Sequence, residues 1–354
     1  MDAPVTSSNV DGVVRWLDDF EATNATRLKA ERMSLRLGWQ DLDKDKPTFV
    51  LPDSNVGPAK LRLLDDPGFA NMTVGWDSAG EIEGWIRAAG CVAEYPLMML
   101  ALYASVASVL VEYLDAPNFI IDFSGDTSQG KTSALRLAAS VWGKPSEDDG
   151  NIYSWDETRV SVLQKAAFLH NLPIILDESK RARDKHEISQ IIYDFCHGRD
   201  RGRGRKEGGT RKQLSWRTVL LSSGEAPLTL YTNDAGTKAR VLSFRGSPLG
   251  NDPEIGRALA YTVSDLVGRN YGLFGPAVLK YLCYDLAGKR AEVIKEYRDK
   301  RDAYAAKQMG AISGRAAAYL AVLDVARTIV HSLGVPLPKT TPIELVQEAV
   351  ELAE

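Results

Sequence analysis

A segment that begins at residue 125 has the residue types and spacing of a phosphate-binding loop. Gly125 and the run Gly130-Lys131-Thr132 fit the pattern G-x-x-x-x-G-K-[ST]. In such a loop the glycines allow backbone N–H groups to surround phosphate oxygens, the lysine reaches the β- and γ-phosphates, and the hydroxyl ligates Mg²⁺. The sequence therefore predicts an ATP and Mg²⁺ site, with Lys131 catalytic, Thr132 on the metal, and ATP contacts from Gly125, Asp126, Thr127, Ser128, Gln129, Gly130, Lys131, Thr132 and Ser133.

Two adjacent carboxylates follow a second apolar segment. The run Leu-Pro-Ile-Ile-Leu at 172–176 is followed by Asp177 and Glu178, and it predicts a buried strand that delivers both acids to its carboxyl end. We expect Asp177 to hold Mg²⁺ through its water shell and Glu178 to orient and polarise the attacking water. The alternative is a strand that ends in two solvated acids.

Hydroxyls and arginines elsewhere are candidates for contacts with the γ-phosphate. Ser222 and Ser223 end a third apolar segment. We expect it to form a strand between the one that precedes the phosphate-binding loop and the one that ends in Asp177. Arg240 precedes another apolar strand and is predicted to reach the nucleotide of a neighbouring subunit, with Lys238 as the local substitute. Arg315 lies in the first turn of a predicted helix, where a cation opposes the helix dipole, so we expect it to sense the nucleotide rather than lie on a solvated face.

The segment 198–212 is rich in arginine and glycine, a composition that excludes a packed core. It predicts an exposed, glycine-tipped hairpin that contacts the phosphate backbone of single-stranded nucleic acid, because arginine suits bidentate phosphate contacts and no aromatic residue is present for base stacking. The expected DNA contacts are Arg199, Arg201, Arg203, Arg205, Lys206, Arg211 and Lys212.

The elements that must position these residues divide the chain into three predicted domains. Residues 1–115 form an N-terminal α+β domain, with helices expected over 10–37, 81–89 and 96–114 and strands over 48–52 and 59–64. In residues 116–250 short apolar strands alternate with helices, which is typical of an α/β fold with a parallel sheet covered on both faces. Residues 251–354 are predicted to form a helical lid and a C-terminal tail.

Bulk composition limits the class of protein. The 354 residues are 44% apolar and carry a net charge of −4, so nucleic-acid affinity must come from a local basic patch. Three well-separated cysteines fit a reducing, cytoplasmic environment. Residues 96–114 are almost long enough to span a membrane, but Glu112 and the Asp-Ala-Pro at 115–117 favour a buried helix.

The loop and its flanks resemble a family of helicase-like P-loop proteins from prophages, plasmids and chromosomal cassettes that is catalogued as a domain of unknown function. The resemblance rests on Gly-Asp-Thr-Ser-Gln-Gly-Lys-Thr-Ser-Ala-Leu-Arg-Leu-Ala-Ala-Ser-Val-Trp-Gly at 125–143. The runs at 172–178 and 271–276, and Leu-Gly-Trp with Phe-Val-Leu-Pro near 37–52, support it.

This resemblance implies an AAA+-type ATPase similar to superfamily 3 and minichromosome-maintenance helicases. Such proteins work as rings, usually hexamers, with an arginine finger supplied in trans and a basic hairpin that points into the pore. The segment 198–212 lies where that hairpin is expected. One departure is that superfamily 3 usually has an asparagine as the γ-phosphate sensor, whereas Ser222 and Ser223 stand here. Relatives often carry a primase or winged-helix module, which this sequence does not clearly show.

The sequence therefore predicts an ATP-dependent, ring-forming DNA helicase or translocase for replication of a mobile element or phage. Its partners are expected to be single-stranded or forked DNA, further copies of the chain, and a primase or origin-binding protein. The alternative is a non-unwinding ATP switch or loader that recruits replication or defence partners. A small-molecule kinase is less favoured, because the acid pair suits the hydrolysis of water.

Overall fold

The N-terminal part of the chain combines small sheets with helices. The computed structural model describes residues 6–28, 31–40, 42, 47–126, 130–182, 184–201, 213–307 and 314–351. Its first elements are α1 (Val10–Asn24), β1 (Arg32–Ser34), β2 (Gly38–Gln40), β3 (Thr48–Val50), β4 (Asn55–Val56), β5 (Leu61–Leu63), α2 (Ile82–Gly90) and α3 (Pro96–Tyr113). Strands β2, β3 and β4 pair antiparallel in that order, while β1 pairs parallel with β5.

The prediction of a helix over residues 10–37 is wrong in its second half. The first helix ends at Asn24, and Arg32–Ser34 forms β1. Pairing of β1 with β5 and the bond from Leu37 N–H to the Phe168 carbonyl at 2.9 Å satisfy this backbone instead. Tertiary pairing therefore overrides the local helical preference. Helix α1 contains no buried residue, so Trp16 and Leu17 remain exposed.

A parallel sheet covered by helices forms the centre of the described chain. Its elements are β6 (Phe119–Ser124), α4 (Lys131–Ser140), β7 (Tyr153–Ser154), α5 (Arg159–Leu169), β8 (Ile174–Asp177), α6 (Lys185–His197), β9 (Val219–Gly224), α7 (Ala235–Lys238) and β10 (Val241–Arg245). The order within the described residues is β10-β6-β9-β8-β7, and every pair is parallel. All residues of β6 and β9 are buried, as expected for strands covered on both faces. The prediction of a mixed α/β fold around a parallel sheet is confirmed.

The C-terminal segment is helical, and its helices share the hydrophobic core of the sheet. They are α8 (Pro253–Arg269), α9 (Phe274–Lys280) with a following π-helical turn, α10 (Arg290–Ala306), α11 (Gly314–Ser332) and α12 (Pro342–Glu351). Helix α11 packs between α3 and α10, and its Tyr319 ring stacks on Phe119 of β6 with 4.9 Å between ring centres. One contiguous cluster of buried side chains runs from Leu37 to Ala349. The domain boundaries at 115 and 250 remain a prediction.

Helix α3 lies inside this core. Every residue of α3 except Glu112 is buried. Among the described residues, α3 is the one helix that is both long enough and apolar enough to cross a membrane, judged by length and composition. Its burial against α4, α11 and α12 explains the apolar sequence and confirms the prediction of a buried helix.

Candidate functional site

The glycine loop joins the carboxyl end of β6 to the start of α4. Gly130 has a φ of +83°, and a side chain there would place its Cβ 2.6 Å from Leu249 Cδ1. A residue other than glycine would therefore meet both backbone strain and a clash. The positive end of the α4 dipole faces the loop, which suits an anion. Thr127, Ser128 and Gln129 lie outside the described residues, and Ser133 is buried within the first turn of α4.

Lys131 is a buried cation whose ammonium group folds back over the loop. Its side chain is 7% exposed, and Nζ donates to the carbonyls of Gly125 at 2.8 Å and Asp126 at 2.5 Å. Among the described residues no carboxylate lies within ion-pair distance of Nζ. A buried charge is normally paired. The missing counter-charge fits an anionic ligand held at this loop.

Three oxygen-bearing side chains meet beside Lys131. Thr132 Oγ1 donates to one carboxylate oxygen of Asp177 at 3.3 Å, and Ser223 Oγ donates to the other. This grouping joins the start of α4 to the carboxyl ends of β8 and β9, because β9 lies between β6 and β8. The structure thus brings together Lys131, Thr132, Asp177 and Ser223.

Glu178 follows Asp177 in an unusual backbone conformation. Its φ and ψ are +62° and +78°, a left-handed conformation that costs a non-glycine residue on the order of 1–3 kcal/mol. Its N–H donates to Ser223 Oγ at 3.1 Å, and its carboxylate accepts from Lys180 N–H at 3.4 Å. Such strain tends to be retained at functional sites. The turn directs the Glu178 backbone towards the same serine that binds Asp177.

Adjacent serines of β9 point to opposite faces of the sheet. Ser223 lies in the cluster with Asp177, whereas Ser222 Oγ accepts a 3.1 Å bond from Trp155 Nε1. Side chains alternate along a strand, so only one of the two can face the loop. Of the two predicted serines, Ser223 is therefore the one that joins Asp177 among the described residues, and a contact of either serine with the γ-phosphate stays a prediction.

Ser222 belongs instead to a buried polar group around Asp122 of β6. Asp122 is fully buried, and its Oδ2 accepts from Leu228 N–H at 2.8 Å and Ser243 Oγ at 2.6 Å. Its Oδ1 has no partner among the described residues. Burial raises the pKa of this carboxyl to about 6, although Ser243, Leu228 and Ser222 oppose the shift by hydrogen bonding. This group connects β6 to β9 and β10 on the other face of the sheet from Ser223.

Arg240 and Arg315 lie at the amino ends of the strands, and the loop lies at their carboxyl ends. We call these two sides of the sheet its amino edge and its carboxyl edge. Arg240 immediately precedes β10, whose first residue is in register with Ile120 near the start of β6. Arg315 Nη1 donates to the carbonyl of Gly236, also before β10, at 3.0 Å. The six residues of β6 separate this edge from the loop by about 16–20 Å. This distance separates Arg315 from the loop of its own chain, and the sensing of the nucleotide by Arg315 from the helical lid stays a prediction.

The base of the basic segment leaves the sheet at this same amino edge. Asp200 N–H donates to the Leu214 carbonyl and Trp216 N–H to the Gly198 carbonyl, both at 3.0 Å, and Arg199 pairs antiparallel with Ser215. These bonds form a short two-stranded stem that contains Arg199, and Arg201 directly follows it. Arg203, Arg205, Lys206, Arg211 and Lys212 lie outside the described residues.

The residues at the loop fit a nucleotide with Mg²⁺. Hydroxyl and carboxylate oxygens are the ligands Mg²⁺ prefers, and Thr132 with Asp177 provides both. Across the described ranges, no group of three or more His, Cys, Asp or Glu side chains could hold a metal by itself. An ion here would therefore take its other ligands from water and phosphate, as Mg²⁺ commonly does.

Two residues of the site carry little signal in the sequence. Gly224 allows close approach to the acid strand, because a Cβ there would lie 2.0 Å from Ser179 Oγ. Leu249 packs against Gly130 from a loop more than a hundred residues away. For Gly224, the only signal in the sequence is that this glycine directly follows Ser222 and Ser223. No local pattern indicates the second.

A family profile described as a domain of unknown function (DUF927) matches residues 4–215, which is more than half of the chain. The chain therefore belongs to this family. No curated protein matches it at a significant level.

Among solved structures, the chain is similar to SCCmec type IV Cch, described as an active helicase, with a TM-score of 0.73 and 18% identity over 98% of this chain. The match covers 64% of the Cch chain, so the present chain spans about two thirds of that protein's length. At this identity the likeness shows a shared fold. A second structure, JCV helicase with a bound acetamide compound, has a TM-score of 0.32 and 12% identity over 62% of this chain and 65% of that one, too low to support an argument.

Proposed function

We propose that the protein is an ATP-dependent DNA helicase or translocase of the AAA+ type, related to superfamily 3 and minichromosome-maintenance helicases. In this proposal it acts as a ring, with six subunits as the expected number, in replication of a phage or other mobile element. Its core would be residues 116–250, followed by a helical lid. The single observation that carries the proposal is the meeting of Lys131, Thr132, Asp177 and Ser223 at one edge of the sheet.

Each of these side chains has a defined task in ATP hydrolysis. Lys131 would exchange its two carbonyl acceptors for β- and γ-phosphate oxygens. Thr132 and Asp177 would hold Mg²⁺, which supplies charge neutralisation for the transferred phosphoryl group. Ser223 would hold the Asp177 carboxylate and the Glu178 backbone in position through its two hydrogen bonds. Glu178 would orient the attacking water and accept its proton.

The arginine that completes the site must come from another subunit. Arg240 lies about a strand length from the loop of its own chain, so in this proposal it acts on the nucleotide of a neighbour. Such an arginine is worth on the order of 10³–10⁵ in rate. The basic segment 198–212 would bind the phosphate backbone of single-stranded DNA.

Strand displacement on a forked duplex tests the proposal. We expect the wild-type chain to hydrolyse ATP and to unwind the fork, and Lys131→Ala to lose both activities because the phosphate oxygens lose their cation. Lys60→Ala, which removes an exposed lysine far from the loop, is the matched control. Wild-type protein that hydrolyses ATP yet neither unwinds nor binds single strands at low salt would contradict the helicase proposal.

The second candidate is a non-unwinding ATP switch that recruits other proteins. It is favoured by α1, whose apolar side chains Val14, Trp16 and Leu17 are 49%, 62% and 51% exposed and so suit contact with a partner. ATP hydrolysis measured with and without single-stranded DNA separates the two candidates. A translocase is stimulated by DNA, whereas such a switch is not.

A further inference from the structure

A cleft of about 510 Å³ at the amino edge of the sheet is lined by four arginines. Arg240 comes from the core, Arg298 and Arg301 from α10, and Arg315 from the start of α11. Arg298 and Arg301 are three residues apart, which places them on one face of their helix. The cleft therefore collects cations from three separate elements.

These guanidinium groups are poorly neutralised. Arg240, Arg298 and Arg315 have no carboxylate within ion-pair distance among the described residues, and Arg301 pairs with Asp302 at 2.8 Å. Asp115, the one carboxylate lining the cleft, already pairs with Arg217 at 2.9 Å. Burial raises the pKa of the neighbouring Cys196 to about 12, so this thiol stays neutral. Arginine keeps its charge at all physiological pH values, so the four groups repel one another unless an anion lies between them.

The cleft adjoins the stem of the basic hairpin. Asn118, which lines the cleft, donates through Nδ2 to the Trp216 carbonyl at 3.3 Å, and Trp216 is part of the stem. On the other side of the stem, Gly198 packs so closely that a Cβ there would lie 2.9 Å from the same Asn118 nitrogen. The stem, which contains Arg199, therefore lies directly beside the cleft.

We propose that Arg298, Arg301 and Arg315 bind the phosphate backbone of a single-stranded nucleic acid that passes from the hairpin into this cleft. The ligand is a polyanion rather than a compact one, because the cations extend from the cleft to the stem. Contacts are to the backbone and not to bases, because the Tyr297 and Tyr319 rings in the cleft are 3% and 2% exposed and offer no stacking surface. Arg240 forms another wall, with its guanidinium 5.6 Å from the centre of the exposed Tyr193 ring. This inference rests on the proposed function.

The test is the salt dependence of oligo(dT) binding, measured by fluorescence anisotropy with a labelled 30-mer. Each lost phosphate contact lowers the slope of log K against log salt by about 0.7 for single strands. We expect Arg298→Ala/Arg301→Ala to bind more weakly and with a slope smaller by about 1.4. Arg298 is exposed and Arg301 is partly exposed, so the variant should fold normally. Arg257→Ala/Arg269→Ala on α8 removes the same charge elsewhere and should keep the wild-type slope.

The possible failures are distinguishable. If the wild-type chain does not bind the oligonucleotide, the proposed function fails. If it binds and Arg298→Ala/Arg301→Ala has an unchanged slope, only this inference fails. The inference is also overturned if the double variant loses hydrolysis in the absence of DNA and regains it on mixing with Lys131→Ala, because the arginines would then act on a neighbour's nucleotide. Arg315→Ala, made alone, should lower the slope by about 0.7.

Discussion

Single side chains at the carboxyl edge of the sheet divide into those that face the loop and those that hold the sheet together. Ser223 bonds to Asp177 and to the Glu178 backbone, while its neighbour Ser222 bonds to Trp155 on the opposite face. The same chemical group therefore has two different tasks one residue apart. Substitutions at these two positions should have different consequences.

Ser223→Ala should lower kcat for ATP hydrolysis by about 10- to 100-fold, because a hydrogen bond to a charged group contributes about 1.5–3 kcal/mol. Ser222→Ala should instead lower the free energy of unfolding by about 1–3 kcal/mol, since it leaves Trp155 Nε1 buried without an acceptor. Steady-state ATPase rates and urea unfolding of both variants check this. Equal effects of the two variants on kcat would contradict the assignment.

Asp122 should make stability depend on pH. Its pKa is about 6 in the folded chain against an unfolded value of 3.8, so the native state binds the extra proton between these values. The free energy of unfolding should therefore fall as pH rises from about 4 to 6, by on the order of 3 kcal/mol. Asp122→Asn can keep the bonds from Leu228 and Ser243 through its amide oxygen. It should flatten this pH dependence and be more stable than wild type at pH 7, as urea unfolding across pH would show.

Secondary-structure elements set the geometry of the loop. Gly130 is the left-handed residue between the loop and α4, and it packs against Leu249 from the segment after β10. A tight turn at this point is what brings Lys131 to the start of the helix. The close packing also connects the loop to a distant part of the chain.

Gly130→Ala should weaken ATP binding and lower the free energy of unfolding by about 1–2 kcal/mol from the left-handed backbone alone. The clash with Leu249 adds to this cost. Isothermal titration with ATP and urea unfolding measure the two effects. Gly268→Ala in α8 is the control, because nothing lies within 4 Å of its added Cβ. If Gly130→Ala bound ATP as tightly as wild type, the loop would not form the predicted cradle.

The strands and helices that flank the loop could be predicted from the sequence, because they are short, strongly apolar segments between clear turn signals. The positions of Ser223, Arg315 and Leu249 could not be predicted from the sequence. Which of Ser222 and Ser223 lies beside Asp177 depends on which face of the sheet each side chain points to. This is set by the pairing of β9 with β6 and β8. The position of Arg315 depends on how α11 packs on α3, and the contact of Leu249 with Gly130 spans more than a hundred residues. These features arise from tertiary packing and leave no local pattern.

For the whole molecule, the proposed function gives the carboxyl and amino ends of the strands separate tasks. The carboxyl edge holds the proposed nucleotide site, and the amino edge holds Arg240, the cleft arginines and the hairpin stem. Because a single chain cannot bring Arg240 to its own loop, the proposed hydrolysis requires at least two copies. Activity should therefore depend on protein concentration.

Mixing two inactive variants tests this requirement. Arg240→Ala keeps the loop, and Lys131→Ala keeps the arginine, so mixed assemblies contain some complete sites. We expect ATP hydrolysis to reappear on mixing, although each variant alone is at least about 10³-fold slower than wild type. Hydrolysis by Arg240→Ala at the wild-type rate, or no recovery in mixtures that sedimentation shows to be assembled, would exclude Arg240 as the neighbour's arginine.

Strand β9 runs from one edge of the sheet to the other, with Ser223 at its far end and the stem residue Trp216 just before its beginning. It is hydrogen-bonded on both sides, to β6 and to β8, and a fully paired strand resists stretching and compression along its axis. If the proposed hydrolysis displaces Ser223, β9 is therefore the element that connects this displacement directly to the stem. Spin labels on the stem and on α4 would then report a change in separation that follows the chemical state of the bound nucleotide.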